Sequence, residues 1–374
     1  MSLKLLHMSD LHLDAPFAAL GVTRRAELRA ALGRILALAR ERRVDAVTIA
    51  GDLYEQDYTL PDTAAFLAQQ FARLAPIRVF IAPGERDPYT NDSLYALTHW
   101  PENVTIFSQG QLTPVELTPG ITLWGAACPP ARGGATLDGF QCDRPGVNLL
   151  LLHAADADQP APGAERLFTV SASAVGAAGF DFALLGHHHA ARLWPEDTPC
   201  CLYPGSPEPL GPEAEEVRHT VALVTVREAG CVVEHIPINQ WRHRAARVDV
   251  TGCSSVAEAA ARVQAAIAVA LSAVDDRLIC EVTLTGAPDV PLDATAVLAQ
   301  VETPAHLYGQ ARFTFPYDLE RLAQEQTVRG LLVRRFQSNL SDFKDEAERQ
   351  RRLRALAVAL QALEGKSVQY YEIA

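Results

Sequence analysis

Apolar positions fall into two patterns along this chain. Short, nearly unbroken runs such as Ala46 to Ala50, Val147 to Leu152 and Phe182 to Leu185 have the length of strands buried on both faces. Leu3, Leu5 and Leu6 begin a similar run, in which polar residues start at His7 and the strand is expected to end at Asp10. Between these runs the period changes. Over Arg24 to Arg43, Leu28, Leu32, Ile35, Leu36 and Ala39 share one helical face with arginines opposite. Asp62 to Leu74 repeats the pattern through Phe66, Leu67, Phe71 and Leu74, with Asp62 as the expected N-cap. A third strand is expected at Arg78 to Ala82, so the chain opens as β-α-β-α-β. Val104 to Phe107 and Ile121 to Trp124 are weaker β-type runs and read as antiparallel additions to the sheet. Ala131 to Asp143 reads as a surface loop, and Thr220 to Val226 with Cys231 to Ile236 as a closing hairpin around Ala229-Gly230.

The pattern alters again near Gln240. Val248 to Val250, an alanine-rich helix over Ser255 to Ala273, a strand at Leu278 to Leu284, a short helix near Ala294 to Ala299 and a strand at Ala311 to Phe315 read as a small α+β domain. Leu319 to Leu363 is mostly helical, with a charged break near Ser338 to Lys344 and a basic stretch at Arg349 to Arg354, most simply a solvated helix face. The expected organisation is a first domain over 1–240, a second over 241–318 and a helical segment over 319–374.

Composition narrows the class without naming a function. At 374 residues and 48% hydrophobic, the chain has material for more than one large core. It contains no apolar run of the roughly 18 residues that a membrane span needs, and Met1 to Met8 lacks the pattern of a signal peptide. The seven cysteines show no Cys-x-x-Cys spacing, and Cys200 and Cys201 are adjacent. Reduced thiols in a cytoplasm are therefore expected. A net charge of -12 argues against a uniformly basic nucleic-acid binder but is compatible with a local basic groove.

Chemistry gathers where the strands end. Asp10 and His12 follow the first strand, Gly51-Asp52 the second, Pro83-Gly84-Glu85-Arg86-Asp87-Pro88 the third, His153 the run from Val147, and Gly186-His187-His188-His189 the run from Phe182. In open α/β sheets the carboxyl ends of strands are where ligands bind. A lone strand-end histidine is usually just a hydrogen-bonded structural residue. Six such coincidences, at Asp10, His12, Asp52, His153, His187 and His189, supply mixed oxygen and nitrogen donors suited to two divalent ions.

The order Asp-x-His, Gly-Asp, a Gly-Glu-Arg-Asp turn, an isolated His and Gly-His-x-His resembles the calcineurin-like metallophosphoesterase superfamily. More narrowly, His7 to Asp14, the Tyr203-Pro204-Gly205-Ser206 turn and the appended small domain look like the SbcD/YhaO-type DNA repair nucleases. The resemblance covers the first 240 residues well and the rest loosely. It implies an α/β fold, a four-layer α/β/β/α sandwich with a small α+β capping domain and C-terminal helices. It also implies a dinuclear site, commonly manganese with iron or magnesium as alternatives, DNA as substrate, an SMC-like ATPase as partner and a homodimer. Carried over by position, one ion would be held by Asp10, His12, Asp52 and His189, and the other by Asp52, Glu85, His153 and His187.

The turn at the third strand departs from the family. Gly-Asn-His-Asp is replaced by Gly84-Glu85-Arg86-Asp87, so an amide ligand becomes a carboxylate and a histidine becomes arginine. Arg86 can stabilise a phosphoryl transition state by charge-assisted contacts. It cannot donate a proton, because its pKa stays above about 12. Two outcomes follow: a DNA exonuclease with Arg86 and Asp52 in the catalytic machinery, or a catalytically weakened DNA-end-binding scaffold. A phosphodiesterase for small nucleotides is a third reading, for which the long C-terminal portion has no obvious use. Among the neighbours, His188 is expected to face away from the site, Asp14 and Asp87 to brace loops, and Ser206 to belong to a turn. His7 reads equally as a core residue or a carboxylate donor. Leu331, Leu332, Val333 and Phe336 are either a partner surface or a helix folded onto its own domain.

Overall fold

A computed structural model describes residues 2–17, 24–128, 137–159, 168–211, 217–290, 292–313, 317–340 and 346–365, less 272–276. The first part of the expected loop at 131–143, the last residues of the strand expected at Ala311 to Phe315, those of the helix expected to reach Ala273 and most of the charged break at 338–344 lie outside the described residues. The chain divides into two compact units, residues 1–242 and 243–374.

The first unit is a four-layer α/β/β/α sandwich. One sheet has the order β13-β12-β1-β2-β3-β4, built from β1 (Leu3–Met8), β2 (Ala46–Ile49), β3 (Arg78–Ile81), β4 (Val104–Ile106), β12 (Thr220–Arg227) and β13 (Gly230–Pro237). β1, β2, β3 and β4 run parallel, and the hairpin β12–β13 joins antiparallel against β1. The second sheet has the order β10-β11-β9-β7-β6-β5: β10 (Arg192–Trp194), β11 (Cys201–Tyr203), β9 (Phe182–Gly186), β7 (Val147–Asp156), β6 (Ile121–Gly125) and β5 (Thr113–Thr118). The short β8 (Phe168–Val170) pairs with the far end of β7. Strand alternation explains the layering. Leu5 and Leu149 point into a core between the sheets with Phe80 and Leu184. Leu6 points to the outer side, where α1 (Arg25–Glu41) and α2 (Pro61–Leu74) cover it with Leu32, Ile35 and Phe71, and Tyr95 of the single-turn α3 (Leu94–Leu97) joins them. Leu150 and Leu152 face the other outer layer, against Val175 of the short helix α4 (Ala172–Ala177), where Phe140 and Phe180 also stack.

His7 proves to be a core residue that ties the two sheets together. Its Nδ1 lies 3.0 Å from Thr48 Oγ1 and its Nε2 3.1 Å from the Leu185 carbonyl of the other sheet. Burial outweighs the two hydrogen bonds and the Asp10 charge and pushes its pKa down to about 4.

Three local expectations are corrected. β4 and β6 are not antiparallel additions: β4 runs parallel to β3 and β6 parallel to β7, and the antiparallel partner of β6 is the half-exposed edge strand β5. Asp62 does not cap α2, which starts with Pro61 at its first position after Leu60. The Asp62 carboxylate instead takes Arg25 and Arg29 of α1. The final strand of the second unit spans His306–Phe313, five residues earlier than expected, because its half-exposed positions give no continuous apolar run.

The second unit has a three-stranded sheet in the order β14-β15-β16, from β14 (Arg242–Asp249), β15 (Leu278–Gly286) and β16 (His306–Phe313), with β15 and β16 parallel. Val263 of α5 (Val256–Leu271) and Val297 of α6 (Ala294–Leu298) cover Val282 and Leu284, and Ala357 of α9 (Glu346–Leu363) joins the same core. In α8 (Val328–Leu340), Val333 is buried with Leu322 of α7 (Leu319–Ala323) and with Leu356 and Leu360 of α9, while Leu332 and Phe336 lean on them. Val328 and Leu331 remain 68% and 59% exposed, so most of the apolar side of α8 is turned into its own unit. Among the described residues no helix is long and apolar enough to cross a membrane.

Candidate metal centre

The ends of β1 and β2 continue side by side past the sheet. Asp10 N donates to Gly51 O at 3.1 Å, His12 N to Asp52 O at 2.9 Å and Leu13 N to Leu53 O at 3.0 Å. The path requires left-handed backbone at Asp10 (φ 55°), His12 (φ 50°), Asp14 (φ 66°) and Asp52 (φ 51°), and φ is 112° at His187. Non-glycine residues adopt such angles at a cost of roughly 1–3 kcal/mol each, and they concentrate at functional sites. Gly51 makes the crowding possible: a Cβ there would lie 2.6 Å from Gly84 Cα and 2.7 Å from His153 Nδ1. The β3 turn therefore lies directly against the β2 tip.

Each of the central side chains has one atom held by protein and one left open. Asp10 Oδ2 accepts from Ser9 Oγ and from His187 N, the latter at 3.1 Å, while Oδ1 has no hydrogen-bond partner among the described residues. Asp52 Oδ1 accepts from Arg86 N at 2.9 Å, leaving Oδ2 directed at the histidines. His153 Nδ1 faces the Ala50 carbonyl at 2.9 Å, which fixes the proton on Nδ1 and leaves Nε2 as a lone pair, also unpartnered. His12 Nδ1 faces Glu55 Oε1 at 2.7 Å, which holds a proton on Nδ1 and leaves the orphaned Nε2 as the position where a cation would take the place of a second proton.

The open atoms converge. Asp52 Oδ2 lies 3.7 Å from His12 Nε2 and 3.5 Å from His153 Nε2, and Asp10 Oδ1 lies 4.0 Å from His12 Nε2 and 3.9 Å from His189 Nε2. Asp10, His12 and His189 form one group able to hold a cation, and Asp10, Asp52 and His153 a second. The orphaned nitrogens of His12 and His153 are too far from the Asp10 and Asp52 carboxylate oxygens to bond them, yet close enough to share a cation with them. The donor set fits divalent metal, with hard oxygen and borderline imidazole mixed.

His187 and Glu85 stand at the margin of these groups. The His187 ring is 5.5 Å from that of His153, edge to face, and half-burial together with His153 pushes its pKa down to about 4. Glu85 is partly buried, and burial with the neighbouring Asp52 charge raises its pKa. Arg86 is mostly exposed, its Nε 3.8 Å from Glu85 Oε1. Burial would lower the pKa of His12, but the Glu55 contact and the charges of Asp52 and Asp10 outweigh it and raise it to about 9. For Asp10, burial is outweighed by His153, His189 and His12, which lower it.

The residues around the centre divide clearly. Asp87 is fully buried and braces the loops, accepting from Asp52 N and Leu53 N at 2.8 Å each, from Gly84 N at 2.7 Å and from Tyr95 Oη at 2.6 Å. Asp14 accepts from Arg25 and Thr63. His188 turns away and stacks on Tyr203. Ser206 is buried beside His219. Sequence reasoning overlooked Glu55 and Ser9. Glu55 could have been found by following the polar strand tip three residues past Asp52.

Residues 3–229 match the Calcineurin-like phosphoesterase superfamily domain. The uncharacterized metallophosphoesterase YhaO of Bacillus subtilis (strain 168) is 25% identical over 229 residues, which are 54% of this chain and 53% of that protein. The chain thus spans about half the length of that curated relative. Solved structures resembling part of the chain include TT1561 of Thermus thermophilus, with 14% identity, a TM-score of 0.38, and coverage of 63% of this chain and 99% of the other. They also include the phosphoesterase Yfce from E. coli, with 14% identity, a TM-score of 0.27, and coverage of 63% and 100%. The family match extends over more than half of the chain and contains every strand tip of the centre: this protein belongs to the calcineurin-like phosphoesterase superfamily.

Proposed function

We propose that this protein is a metal-dependent phosphodiesterase of the DNA repair nuclease type, hydrolysing DNA phosphodiester bonds with a water as nucleophile. The observation that carries the proposal is the convergence of orphaned Asp10 Oδ1, His12 Nε2 and His153 Nε2 around Asp52 Oδ2. Asp10, His12, Asp52 and His189 would hold one divalent ion, and Asp52, Glu85, His153 and His187 the other, with Asp52 shared. Such a pair, manganese being the preferred choice and iron or magnesium the alternatives, supplies Lewis acidity and an activated water at neutral pH.

The chain's own residues do the positioning. Gly51 and Gly84 let the β2 and β3 tips approach, and Asp87 fixes their amides. The exposed Arg86 guanidinium stands beside Glu85 at the rim, placed to neutralise charge on a phosphate. The second unit is assigned to shaping DNA access, and the helices around exposed Val328 and Leu331 to an SMC-like ATPase. A homodimer through the helices of the first unit and a cytoplasmic setting complete the reading; the setting agrees with seven cysteines that form no disulfide among the described residues.

Cleavage of linear duplex DNA with Mn2+ is the test. The wild type is expected to cleave and Asp52→Asn to be inert; no activity with any divalent metal overturns the proposal. Parallel assays on cyclic nucleotides and a chromogenic bis-ester check the substrate, since turnover confined to those would reassign it. The Glu85–Arg86 contact favours a second reading, a DNA-end-binding scaffold with weakened turnover. Glu85→Asn combined with Arg86→His should then raise the rate, and an unchanged rate removes that reading.

A further inference from the structure

Glu55 is placed by the zipper that joins the two loop tips. After Leu13 N donates to Leu53 O, Glu55 N donates back to Leu13 O at 2.9 Å, and Leu13 and Tyr54 form a parallel bridge. This register sets the Glu55 side chain beside His12, with Oε1 2.7 Å from Nδ1 and only 13% of the side chain exposed. The other central imidazole, His153, is oriented by a neutral backbone carbonyl. His12 is oriented by a carboxylate.

We infer that Glu55 is a positioning residue for cation binding, which acts through His12 on the group formed with Asp10 and His189 and leaves the His153 side of the centre untouched. Two effects run through the same contact. The carboxylate accepts the Nδ1 proton, which fixes the ring and turns the Nε2 lone pair toward Asp10 Oδ1 and Asp52 Oδ2. Its negative charge also makes that lone pair a better donor. Partners of this kind typically change metal affinity by about 10- to 100-fold. The inference rests on the proposed metal centre but not on the identity of its substrate.

The test is a titration of the full chain with Mn2+, in which free ion is followed by its electron paramagnetic resonance signal and no substrate is present. Wild type should show two binding classes. Glu55→Gln, which keeps an acceptor but not the charge, should weaken one class by about 10-fold or more, and Glu55→Ala should weaken it further, the other class staying within about 3-fold. His12→Ala should weaken that same class. The double variant Glu55→Gln with His12→Ala should lose no more than His12→Ala alone, because a residue that acts only through His12 has nothing left to act on. Unchanged binding in Glu55→Gln and Glu55→Ala, or losses that add in the double variant, overturn the inference while leaving the metal centre standing. Absence of Mn2+ uptake by the wild type would remove the metal centre and this inference together. If Glu55→Ala fails to fold, Glu55→Gln and the cycle built on it still decide the matter.

Discussion

Replacing Gly51 by alanine isolates the close approach of the β2 and β3 tips on which the centre depends. The added Cβ would sit 2.6 Å from Gly84 Cα, 2.7 Å from Gly84 N and 2.7 Å from His153 Nδ1, and backbone atoms cannot swing aside as a flexible side chain does. The residue also has φ 77°, which costs an L-amino acid roughly 1–2 kcal/mol. Overpacking of a tight site adds about 1–3 kcal/mol, so Gly51→Ala should destabilise by about 2–5 kcal/mol in total. Gly120 is the control, since its φ of 82° carries the same strain while a Cβ there meets nothing within 4 Å. Gly120→Ala should therefore cost only about 1–2 kcal/mol. Urea unfolding followed by tryptophan fluorescence suits the comparison, because Trp100, Trp124, Trp194 and Trp241 all lie in the first unit. Gly51→Ala should also weaken Mn2+ uptake, as the intruding methyl displaces the His153 ring from the Ala50 carbonyl, whereas Gly120→Ala should not. Equal destabilisation by the two substitutions, with metal uptake intact in both, would refute the claim that the tips are forced together.

Further predictions concern the core and the rim. His7 is neutral when folded, with a pKa near 4, whereas the unfolded residue titrates near 6.5. Its contribution is therefore complete above pH 6.5 and is lost as pH falls toward 4, by ~3 kcal/mol at about 1.4 kcal/mol per pH unit. The unfolding free energy of His7→Gln should fall less steeply than that of wild type between pH 6.5 and 4; parallel slopes would contradict this. Arg86→Ala should leave the melting temperature unchanged, because the side chain is 57% exposed, while lowering kcat on DNA by about 100-fold. Arg86→Lys should recover part of that loss, and unchanged kcat in Arg86→Ala would remove Arg86 from the catalytic machinery.

The architecture was legible where hydrophobic continuity is strong. Leu149 to Leu152 must be buried on both faces, and the polar residues that follow such runs mark the strand tips for Asp10, Asp52 and His187; His153 lies inside β7, which runs on to Asp156 because β8 pairs with its last three residues. Pairing direction was not legible, because a short run such as Val104 to Ile106 carries no mark of the neighbour that fixes it, and β3 and not a hairpin partner is that neighbour. Glu55 escaped notice for a related reason: its relation to His12, 43 residues away, is created by the register between two loops. Asp62 had the right residue type for a cap, but Pro61 already starts the helix and two arginines of α1 compete for the carboxylate. The apolar residues of α8 gave no sign of which way they face until Val333 met Leu356 and Leu360 of α9.

The most direct test of the account is the number of Mn2+ ions retained per chain after equilibrium dialysis, measured by elemental analysis on wild type and on Asp52→Asn. Two ions per wild-type chain, falling to one or none when the shared carboxylate becomes an amide, is the predicted result. A wild type that retains no ion, or an Asp52→Asn chain that still holds two, would contradict it.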